Sequence, residues 1–370
     1  MVSKGSNMKN TILFPYNDKY LETVGISYDL TQFTNTMTEI SQHIKDELSK
    51  TIFSNRVMYS LSEDYWYIYN ILVETELGRK LDGKLKKRKN GIYVFGAGIR
   101  GKRIVQIFSQ ISWLGYIDTK LTGICNGLPV VKLEEIPQME TTNILISNQF
   151  HADKIKELLL KSGFQEKNII ILSEYDEASE KKEYFEDFML KARPLKGAFV
   201  DVGCYNGKTS ETYLQITEDM DREVFAFEPD AINFKRCKET LDKYANVKLY
   251  PYAVSDTNDI KYIHSEGEKS QVSEDGEQKT EVVTLDKLIG NKQISFLKVD
   301  VEGAELEVLQ GAEQIIRQQH PKCAVCVYHK RQDIWTVPKL LLELYPGYKF
   351  YLRHYSVGIT DTVLYAVDGE

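Results

Sequence analysis

The 370-residue sequence lacks the features that would place the protein in a membrane or outside the cell. No apolar run approaches the roughly 20 residues of a membrane-spanning helix, and the amino terminus lacks the charged-then-apolar order of a signal peptide. The five cysteines form an odd set without a disulfide framework: Cys125, Cys204, Cys237, Cys323 and Cys326. These absences predict a cytoplasmic protein with reduced thiols and no membrane span.

A long basic stripe is also absent, and the formal net charge is -7. Proteins dedicated to nucleic acids usually carry clustered positive charge, so this balance argues against a nucleic-acid partner. The remaining composition, with 42% hydrophobic and 27% charged residues, is typical of a globular protein. At roughly 150 residues per domain, the chain has room for two or three domains.

One pair of cysteines has the Cys-x-x-Cys spacing of redox and zinc sites, but no second pair completes four ligands. Cys323 and Cys326 lie in an apolar run, residues 322–328, that predicts a buried strand. Side chains alternate between the two faces of a sheet, so these two cannot both reach one metal ion. We interpret both as core residues.

The most informative segment reads AFVDVGCYNG over residues 198–207, an apolar run that ends in an acid and a Gly-x-x-x-Gly turn. A second apolar run ends at residues 227–229, Phe-Glu-Pro. Neighbouring parallel strands that end in this way form a nucleoside site, where glycines admit the ligand and an acid binds the ribose hydroxyls. A dinucleotide site usually needs Gly-x-Gly-x-x-Gly, because its pyrophosphate rests on a helix end. The pattern here therefore indicates a ligand without phosphate, such as S-adenosylmethionine.

From residue 196 to the end of the chain, strand and helix patterns alternate, which predicts a doubly wound α/β sheet. The order of motifs in this half resembles the FkbM family of S-adenosylmethionine-dependent methyltransferases. Five blocks carry the resemblance: residues 199–207, 225–230, 253–256 (AVSD), 284–286 (TLD) and 297–305 (LKVDVEGAE), of which the last is the most specific. The resemblance implies a seven-stranded class I methyltransferase sheet whose final strand, residues 362–367, runs antiparallel.

Methyl transfer from a sulfonium needs little covalent help, so the protein must aim an acceptor oxygen and remove its proton. Asp300 ends a predicted strand beside the cofactor, where it can face the sulfonium, orient the acceptor or act as base; it also suits a helix N-cap. His329 lies just past the next strand, where open α/β sheets bind ligands. As a neutral imidazole it can take the proton of a sugar hydroxyl. This pair also permits a divalent metal, but no spacing dictates one, and we assign none.

The other candidates fall into two groups. The predicted cofactor site comprises Asp201, Gly203, Tyr205, Asn206, Gly207, Glu228, Pro229, Ala253, Val254, Ser255 and Asp300. The predicted substrate site comprises Glu302, Lys330, Arg331, Arg353, His354 and Tyr355, in which Lys330 and Arg331 can hold an anionic group. For Glu302 and Glu305 in the first turn of a helix, interaction with the helix dipole is a sufficient explanation without catalysis.

A second glycine turn lies in residues 91–101, GIYVFGAGIRG, between a predicted strand and a predicted helix. That is the proper context for a Gly-x-Gly-x-x-Gly nucleotide site, and Asp118 ends the next strand about 20 residues later. The segment resembles nucleotide-sugar-binding domains of bacterial sugar-modifying enzymes through residues 96–98, 101–102, 116–118 and 127–130. The resemblance implies a second nucleotide pocket at Gly96, Gly98, Arg100, Gly101 and Asp118. The alternative is a vestigial pocket in a domain that only scaffolds or dimerises.

These patterns divide the chain into five parts. Residues 1–7 are interpreted as a leader added ahead of the natural Met8, 8–90 as a helical segment, 91–173 as a Rossmann-like domain, 174–195 as a linker helix and 196–370 as the methyltransferase domain. In the helical segment, one helix face is expected to carry Phe33, Met37, Ile40, Ile44 and Leu48. The polar stretch 264–281 is expected to be a surface hairpin loop.

The sequence thus predicts an S-adenosylmethionine-dependent O-methyltransferase that acts on a hydroxyl of a sugar, a glycan or a glycosylated metabolite. A nucleotide sugar is a further candidate partner, and a homo-oligomer remains open. The alternative is a catalytically inactive scaffold that binds a nucleotide or nucleotide sugar. A third class, an NAD-dependent oxidoreductase that uses residues 96–101, lacks an obvious catalytic set for hydride transfer.

Overall fold

The computed structural model describes residues 30–137, 139–175, 183–191, 196–217, 222–264, 271–273 and 278–368. The leader predicted at residues 1–7 lies outside these ranges, as do residues 176–182 and 192–195 of the linker helix predicted at 174–195. Among the described residues, no helix is both long and apolar enough to cross a membrane.

Four helices begin the described chain: α1 (Leu30–His43), α2 (Glu47–Ser62), α3 (Tyr65–Glu74) and α4 (Glu76–Lys86). The expected continuous face from Phe33 to Leu48 is interrupted, because α1 ends at His43 and the Asp46 side chain caps α2. Helix α2 packs against the carboxyl-terminal half, where the Leu352 N–H donates to Ser49 Oγ at 2.8 Å. These helices therefore share a hydrophobic core with the carboxyl-terminal sheet.

The next segment forms a six-stranded sheet with helices. Its elements are β1 (Ile92–Phe95), α5 (Ile99–Ile107), β2 (Trp113–Ile117), β3 (Gly123–Cys125), β4 (Leu128–Val131), β5 (Asn143–Ile146), α6 (Ala152–Lys161) and β6 (Ile169–Ile171). The strand order is β3-β4-β2-β1-β5-β6, and only β3 pairs antiparallel with its neighbour. The strand, glycine turn and helix expected at residues 91–101 are confirmed.

The carboxyl-terminal half alternates helix and strand as expected. It begins with α7 (Asp187–Lys191), β7 (Ala198–Val202), α8 (Lys208–Thr217), β8 (Val224–Phe227), α9 (Ala231–Leu241) and β9 (Val247–Tyr250). A separate four-stranded sheet follows, formed by β10 (Tyr252–Val254), β11 (Asp259–His264), β12 (Gln271–Ser273) and β13 (Gln278–Val283). The stretch predicted as a loop thus contains β12, because its backbone pairs antiparallel with β11.

The remaining elements complete the main sheet and cover it. They are α10 (Leu285–Ile289), β14 (Ile294–Val299), α11 (Glu305–Gln310), α12 (Glu313–Gln319), β15 (Lys322–Cys326), α13 (Asp333–Leu344), β16 (Tyr348–His354) and β17 (Thr362–Asp368). The strand order is β16-β17-β15-β14-β7-β8-β9. Strand β17 pairs antiparallel with both neighbours, whereas the other pairs are parallel. The expected seven-stranded sheet with an antiparallel final strand is confirmed.

Two details of the main sheet bear on function. Strand order reverses between β7 and β14, and ligands of open α/β sheets bind beyond the carboxyl ends of the strands at such a switch point. In β15, Cys323 and Cys326 are both buried, and they pack into two different hydrophobic clusters. Their interpretation as core residues is confirmed.

Candidate active site

The turn that follows β7 approaches the end of β14 very closely. Gly203 and Gly207 adopt φ angles of +79° and +76°, a region that side chains other than glycine rarely occupy. A Cβ atom on Gly203 would lie 1.8 Å from the backbone oxygen of Asp300, and one on Gly207 would lie 2.9 Å from Leu241 Cγ. The turn therefore requires glycine at both positions, for its conformation and for the space available.

Asp201 lies fully buried at the end of β7 and anchors this turn. Its Oδ2 accepts a hydrogen bond from Ser210 Oγ at 2.7 Å, and its Oδ1 lies 3.1 Å from Lys298 Nζ. Lys298 also donates to the Gly203 backbone oxygen at 2.7 Å. Burial alone would lower the pKa of Lys298, but the carboxylates of Asp201 and Asp300 outweigh it and raise that pKa. Asp201 thus holds the glycine turn through a buried lysine.

Glu228 lies at the carboxyl end of β8, as predicted, with only 6% of its surface exposed. Its Oε2 accepts a hydrogen bond from the Tyr205 N–H at 2.9 Å and its Oε1 accepts one from the Asp230 N–H at 3.0 Å. Burial raises the pKa of Glu228 to about 7, against the lowering effect of these two bonds. Because each carboxylate oxygen has more than one acceptor position, these bonds orient Glu228 without excluding a diol.

Asp300 follows β14 directly and lies next to the glycine turn. Its Oδ2 accepts a hydrogen bond from Tyr184 Oη at 2.9 Å. Its Oδ1 has no hydrogen-bond partner among the described residues and lies 3.7 Å from His329 Nε2. Burial alone would raise the pKa of Asp300, but the positive charges of Lys298 and His329 lower it overall. Asp300 is therefore an ionised carboxylate with one oxygen available.

His329 faces Asp300 from the chain that follows β15. Its Nδ1 lies 2.8 Å from Glu305 Oε1, and its Nε2 lies 3.5 Å from Glu302 Oε2. Only 8% of its side chain is exposed. Burial alone would lower the pKa of His329, but Glu302, Glu305 and Asp300 outweigh it and raise that pKa to about 10. The structure thus contradicts the expected neutral imidazole, because surrounding carboxylates hold the ring in its charged form at neutral pH.

Glu305 has a larger role than the helix dipole explains. Its side chain is fully buried, and its Oε1 accepts hydrogen bonds from the Val301 and Gly303 N–H groups at 3.2 and 3.3 Å as well as contacting His329. Its Oε2 has no hydrogen-bond partner in the described part of the chain. Glu305 therefore orients the imidazole and the turn before α11. The sequence analysis missed this, because burial of an acid at a helix start leaves no signal in the sequence.

Two further residues of this site were missed. Tyr184 comes from the short segment ahead of α7, and its ring lies 5.2 Å from Lys298 Nζ. No spacing links Tyr184 to Asp300, since 116 positions separate them. Lys298 did have a signal: it is the one charged residue of a mostly apolar strand, and a lysine is rarely buried there unless it is paired.

The basic residues predicted to bind substrate lie beside His329 and have acidic neighbours. Lys330 Nζ lies 3.6 Å from Glu307 Oε1, and Arg331 pairs with Glu63 of the loop that follows α2. About two fifths of the Lys330 side chain and a third of that of Arg331 remain exposed. Both cations are therefore near the imidazole, and their contact with an acceptor remains a prediction.

The structure gives the other three predicted substrate residues different partners. Arg353 Nη2 lies 2.8 Å from Asp46 Oδ2, and Tyr355 donates a hydrogen bond to Glu186 at 3.0 Å. His354 is buried with its Nδ1 2.8 Å from Thr362 Oγ1, and burial lowers its pKa to about 3. These contacts tie β16 to α2 and to the segment before α7. They account for all three side chains without an acceptor, and the predicted contact of these residues with the substrate stays a prediction.

The remaining cofactor candidates occupy turns around the same strand ends. Asn206 Oδ1 accepts from the Lys208 N–H at 3.0 Å, and the Pro229 backbone oxygen accepts from Gln278 Nε2 at 2.7 Å. Ala253 and Val254 are buried in β10, and the Ser255 N–H donates to the Val283 oxygen. An adenine contact for residues 253–255 stays a prediction.

In the amino-terminal sheet, the acid of the predicted nucleotide pocket, Asp118, forms hydrogen bonds with the protein's own backbone. Asp118 Oδ2 accepts a hydrogen bond from the Ala97 N–H at 3.0 Å, and its Oδ1 accepts from the Lys120 and Leu121 N–H groups at 2.8 and 3.0 Å. Asp118 thus joins two turns, which explains its position without a ribose. The turn keeps open space at Gly98, where an added Cβ would meet no atom within 4 Å. A ligand in this pocket, with Gly96, Arg100 and Gly101 around it, stays a prediction.

Comparison with known proteins finds matches in both halves of the chain. Residues 201–351 match a family model described as "Methyltransferase FkbM domain", and residues 88–170 match one described as "C2185-like, N-terminal". The chain is 28% identical over 193 residues to the 2-O-methyltransferase NoeI of Sinorhizobium fredii. The aligned region covers 45% of this chain and 77% of NoeI.

Two further similarities are shorter or weaker. The hexuronic acid methyltransferase AglP of Haloferax volcanii is 32% identical over 129 residues, which covers 32% of this chain and 53% of that protein. A crystal structure of Methyltransferase FkbM from Methylobacillus flagellatus aligns with 15% identity and a TM-score of 0.48, covering 83% of this chain and 100% of that one.

These findings confirm a FkbM methyltransferase domain at residues 201–351, and the protein is accordingly a methyltransferase. The domain contains the glycine turn, Glu228, Asp300 and His329. The match over residues 88–170 names no ligand, so the expected resemblance to nucleotide-sugar-binding domains is not specifically supported.

Proposed function

We propose that this methyltransferase uses S-adenosylmethionine to methylate a hydroxyl of a sugar, a glycan or a glycosylated metabolite. The observation that carries the proposal is the position of Asp300. Its backbone contacts the glycine turn, and its Oδ1 has no hydrogen-bond partner among the described residues. One carboxylate therefore lies next to both the expected cofactor loop and the imidazole of His329. NoeI is a 2-O-methyltransferase and AglP a hexuronic acid methyltransferase, and the similarity to both supports a hydroxyl acceptor on a sugar.

The residues at this sheet edge fit the proposed cofactor. The backbone of the glycine turn packs directly against Asp300, where any Cβ on Gly203 would collide, and this close packing fixes the shape of the expected cofactor loop. Glu228 is held by two backbone bonds at the place where a ribose diol is expected. S-adenosylmethionine supplies an activated methyl group when bound, and the chain needs only to place the acceptor oxygen in line with it.

The acceptor proton has a suitable recipient in this site. A hydroxyl oxygen that gains a methyl group becomes strongly acidic, so even a carboxylate with a lowered pKa can take its proton. Asp300 is such a carboxylate, and Tyr184 holds its Oδ2 so that Oδ1 remains available. His329, in its charged form, keeps Asp300 ionised rather than acting as the first base. Asp300 is therefore proposed as the proton acceptor and His329 as the group that orients it.

The proposal is tested with methyl-labelled S-adenosylmethionine, the full chain and a panel of neutral sugars, uronic acids, nucleotide sugars and glycans. We expect label on a hydroxyl oxygen, located by mass spectrometry, and a loss of about a hundredfold or more in Asp300→Asn, since one positioned proton acceptor contributes about that much. The exposed Asp259, in the same half of the chain, serves as the control through Asp259→Asn. Failure of calorimetry to detect cofactor binding would overturn the choice of cofactor, and label on nitrogen or carbon would overturn the choice of acceptor.

A further inference from the structure

The geometry around His329 points to a divalent-cation site, and we infer that the ion is bound by His329 Nε2, Asp300 Oδ1 and Glu302 Oε2. The imidazole nitrogen lies 3.7 Å from the Asp300 oxygen and 3.5 Å from the Glu302 oxygen. Asp300, Glu305 and His329 offer ligand atoms that all lie within 4.8 Å of one another. His329 Nε2 therefore has one carboxylate oxygen of Asp300 and one of Glu302 within 4 Å, while Glu305 contacts the other ring nitrogen.

The separations suit an ion better than hydrogen bonds. An N–H donor and an oxygen acceptor in a good hydrogen bond are about 2.7–3.2 Å apart, and both separations at His329 Nε2 are longer. Two ligands that share one ion at about 2.1 Å are about 3.4 Å apart in a tetrahedral site and about 3.0 Å apart at adjacent positions of an octahedral site, which suits Mn²⁺. The distances of 3.5 and 3.7 Å therefore need to contract by about 0.1–0.7 Å to close around an ion.

Buried polar atoms without partners aim into this space. His329 Nε2 and Asp300 Oδ1 have no hydrogen-bond partner in the part of the chain that the structure describes. The His329 side chain is 8% exposed, so water cannot fully solvate its Nε2. A buried polar group without a partner is costly, and an ion between these two atoms would remove that cost for both.

Glu305 completes an arrangement that metal-binding histidines commonly have. Such a histidine usually donates its other ring N–H to a carboxylate, which fixes the orientation of the ring. Glu305 Oε1 lies 2.8 Å from His329 Nδ1, and two backbone N–H groups hold the same oxygen in place. The ring is therefore oriented with its Nε2 toward Asp300 and Glu302.

The backbone before α11 directs Glu302 toward the same point. Glu302 has a φ angle of +56° and Gly303 one of +103°, both in the left-handed region. For a residue with a long side chain this conformation costs free energy, and such strain is concentrated at functional sites. In this conformation Glu302 Oε2 lies 3.5 Å from His329 Nε2.

The donor set favours an ion that accepts both nitrogen and oxygen. Carboxylates suit Mn²⁺ and Mg²⁺, whereas imidazole suits Zn²⁺ and iron, so a mixed set of this kind is compatible with Mn²⁺ as a probe. Binding of the ion must displace the proton from His329 Nε2, and Asp300 Oδ1 then binds the ion, so the role of Asp300 as proton acceptor applies to the ion-free chain. The catalytic consequence rests on the proposed function: an ion with open coordination positions would bind the acceptor hydroxyl and lower its pKa. The binding of the ion itself does not depend on that function.

The test is a titration of the chelator-treated full chain with Mn²⁺ alone, followed by the electron paramagnetic resonance signal of free Mn²⁺. We expect one saturable site per chain. His329→Gln and Asp300→Asn should each weaken binding about tenfold or more, and Glu305→Gln, which retains the imidazole, about tenfold. Glu302→Gln, at a side chain that is one third exposed, gives a variant that should fold even where the buried ones do not. Glu307→Gln, on α11 but outside the cluster, is the matched control and should bind Mn²⁺ unchanged.

The outcomes separate this inference from the proposed function, because the titration contains neither cofactor nor acceptor. Absence of saturable Mn²⁺ binding, or binding that Glu302→Gln and His329→Gln leave unchanged, would overturn the site and show that the carboxylates only surround a charged imidazole. If methyl transfer then continues in excess chelator, the proposed function is supported without the ion. Mn²⁺ binding with the expected dependence, in a chain that transfers no methyl group, would support the site and count against the function.

Discussion

The hydroxyl of Tyr184 donates a hydrogen bond to Asp300 Oδ2 at 2.9 Å, and the same hydroxyl lies 3.5 Å from Cys326 Sγ. The Tyr184 ring also lies over Lys298, the lysine that pairs with Asp201. A segment outside the matched methyltransferase domain thus contacts the carboxylate proposed to accept the proton. We expect Tyr184 to position Asp300, because its hydrogen bond to Oδ2 leaves Oδ1 without a hydrogen-bond partner among the described residues.

Tyr184→Phe should lower kcat about tenfold or more while leaving the dissociation constant of the cofactor nearly unchanged. The change removes a hydrogen bond to a charged group, which contributes about 1.5–3 kcal/mol, and frees the carboxylate to rotate. Tyr345→Phe is the matched control, because it removes a similar hydrogen bond to the carboxylate of Asp368, at the carboxyl end of β17. Steady-state kinetics of both variants decide the question. Equal losses of kcat in the two variants would show that Tyr184→Phe acts by lowering the stability of the protein and not by releasing Asp300.

Gly203→Ala should abolish cofactor binding, whereas Gly83→Ala should have no effect on it. An added Cβ at Gly203 would lie 1.8 Å from the Asp300 oxygen, and the positive φ angle adds strain. The same addition in helix α4, at Gly83, meets no atom within 4 Å. Calorimetry with S-adenosylmethionine measures both, and circular dichroism checks that the chain remains folded. A Gly203→Ala protein that binds the cofactor normally would show that the turn moves freely away from β14.

Affinity for S-adenosylmethionine should weaken about tenfold per pH unit below pH 7, because Glu228 must be ionised to accept the ribose hydroxyls. Burial raises the pKa of Glu228 to about 7, so the free protein carries a proton there at lower pH, and binding must release it. The charges that act on this group are Asp230, which raises its pKa, and Lys298, which lowers it. Binding constants measured between pH 5.5 and 7 test the slope. Glu228→Gln should bind weakly with no such slope, and a flat profile in the unchanged protein would contradict the role of Glu228.

Much of the fold followed from the sequence because strand ends carry local signals. The final strand predicted at residues 362–367 forms as β17 (Thr362–Asp368), and the buried strand predicted in the run 322–328 forms as β15 (Lys322–Cys326), since both are mostly apolar runs. Asp201, Glu228 and Asp300 were predictable for the same reason, as acids at the ends of such runs. Tyr184 and Glu305 were not, because their roles depend on contacts and burial that only the folded chain creates.

Histidine 329 shows a different limit of sequence reasoning. Its place after β15 was predictable from the strand pattern, but its protonation state was not. A neutral imidazole is the ordinary expectation near neutral pH. Three carboxylates from the loop after β14 and the start of α11 reverse that expectation. Their mutual approach depends on the left-handed turn at Glu302, which no residue spacing reveals.

Asp118→Asn should destabilise the amino-terminal sheet by about 1–3 kcal/mol without any nucleotide present. The carboxylate accepts three backbone N–H bonds that join the turns after β1 and β2, and an amide group would place a donor against one of them. Asp153→Asn, in the first turn of α6, is the control and should change stability by only a few tenths of a kcal/mol. Denaturant unfolding of both variants measures the difference. The contrary result has two parts: Asp118→Asn keeps full stability, and nucleotides raise the melting temperature of the unchanged protein but not of this variant. That result would show that Asp118 binds a ribose and is not needed for stability.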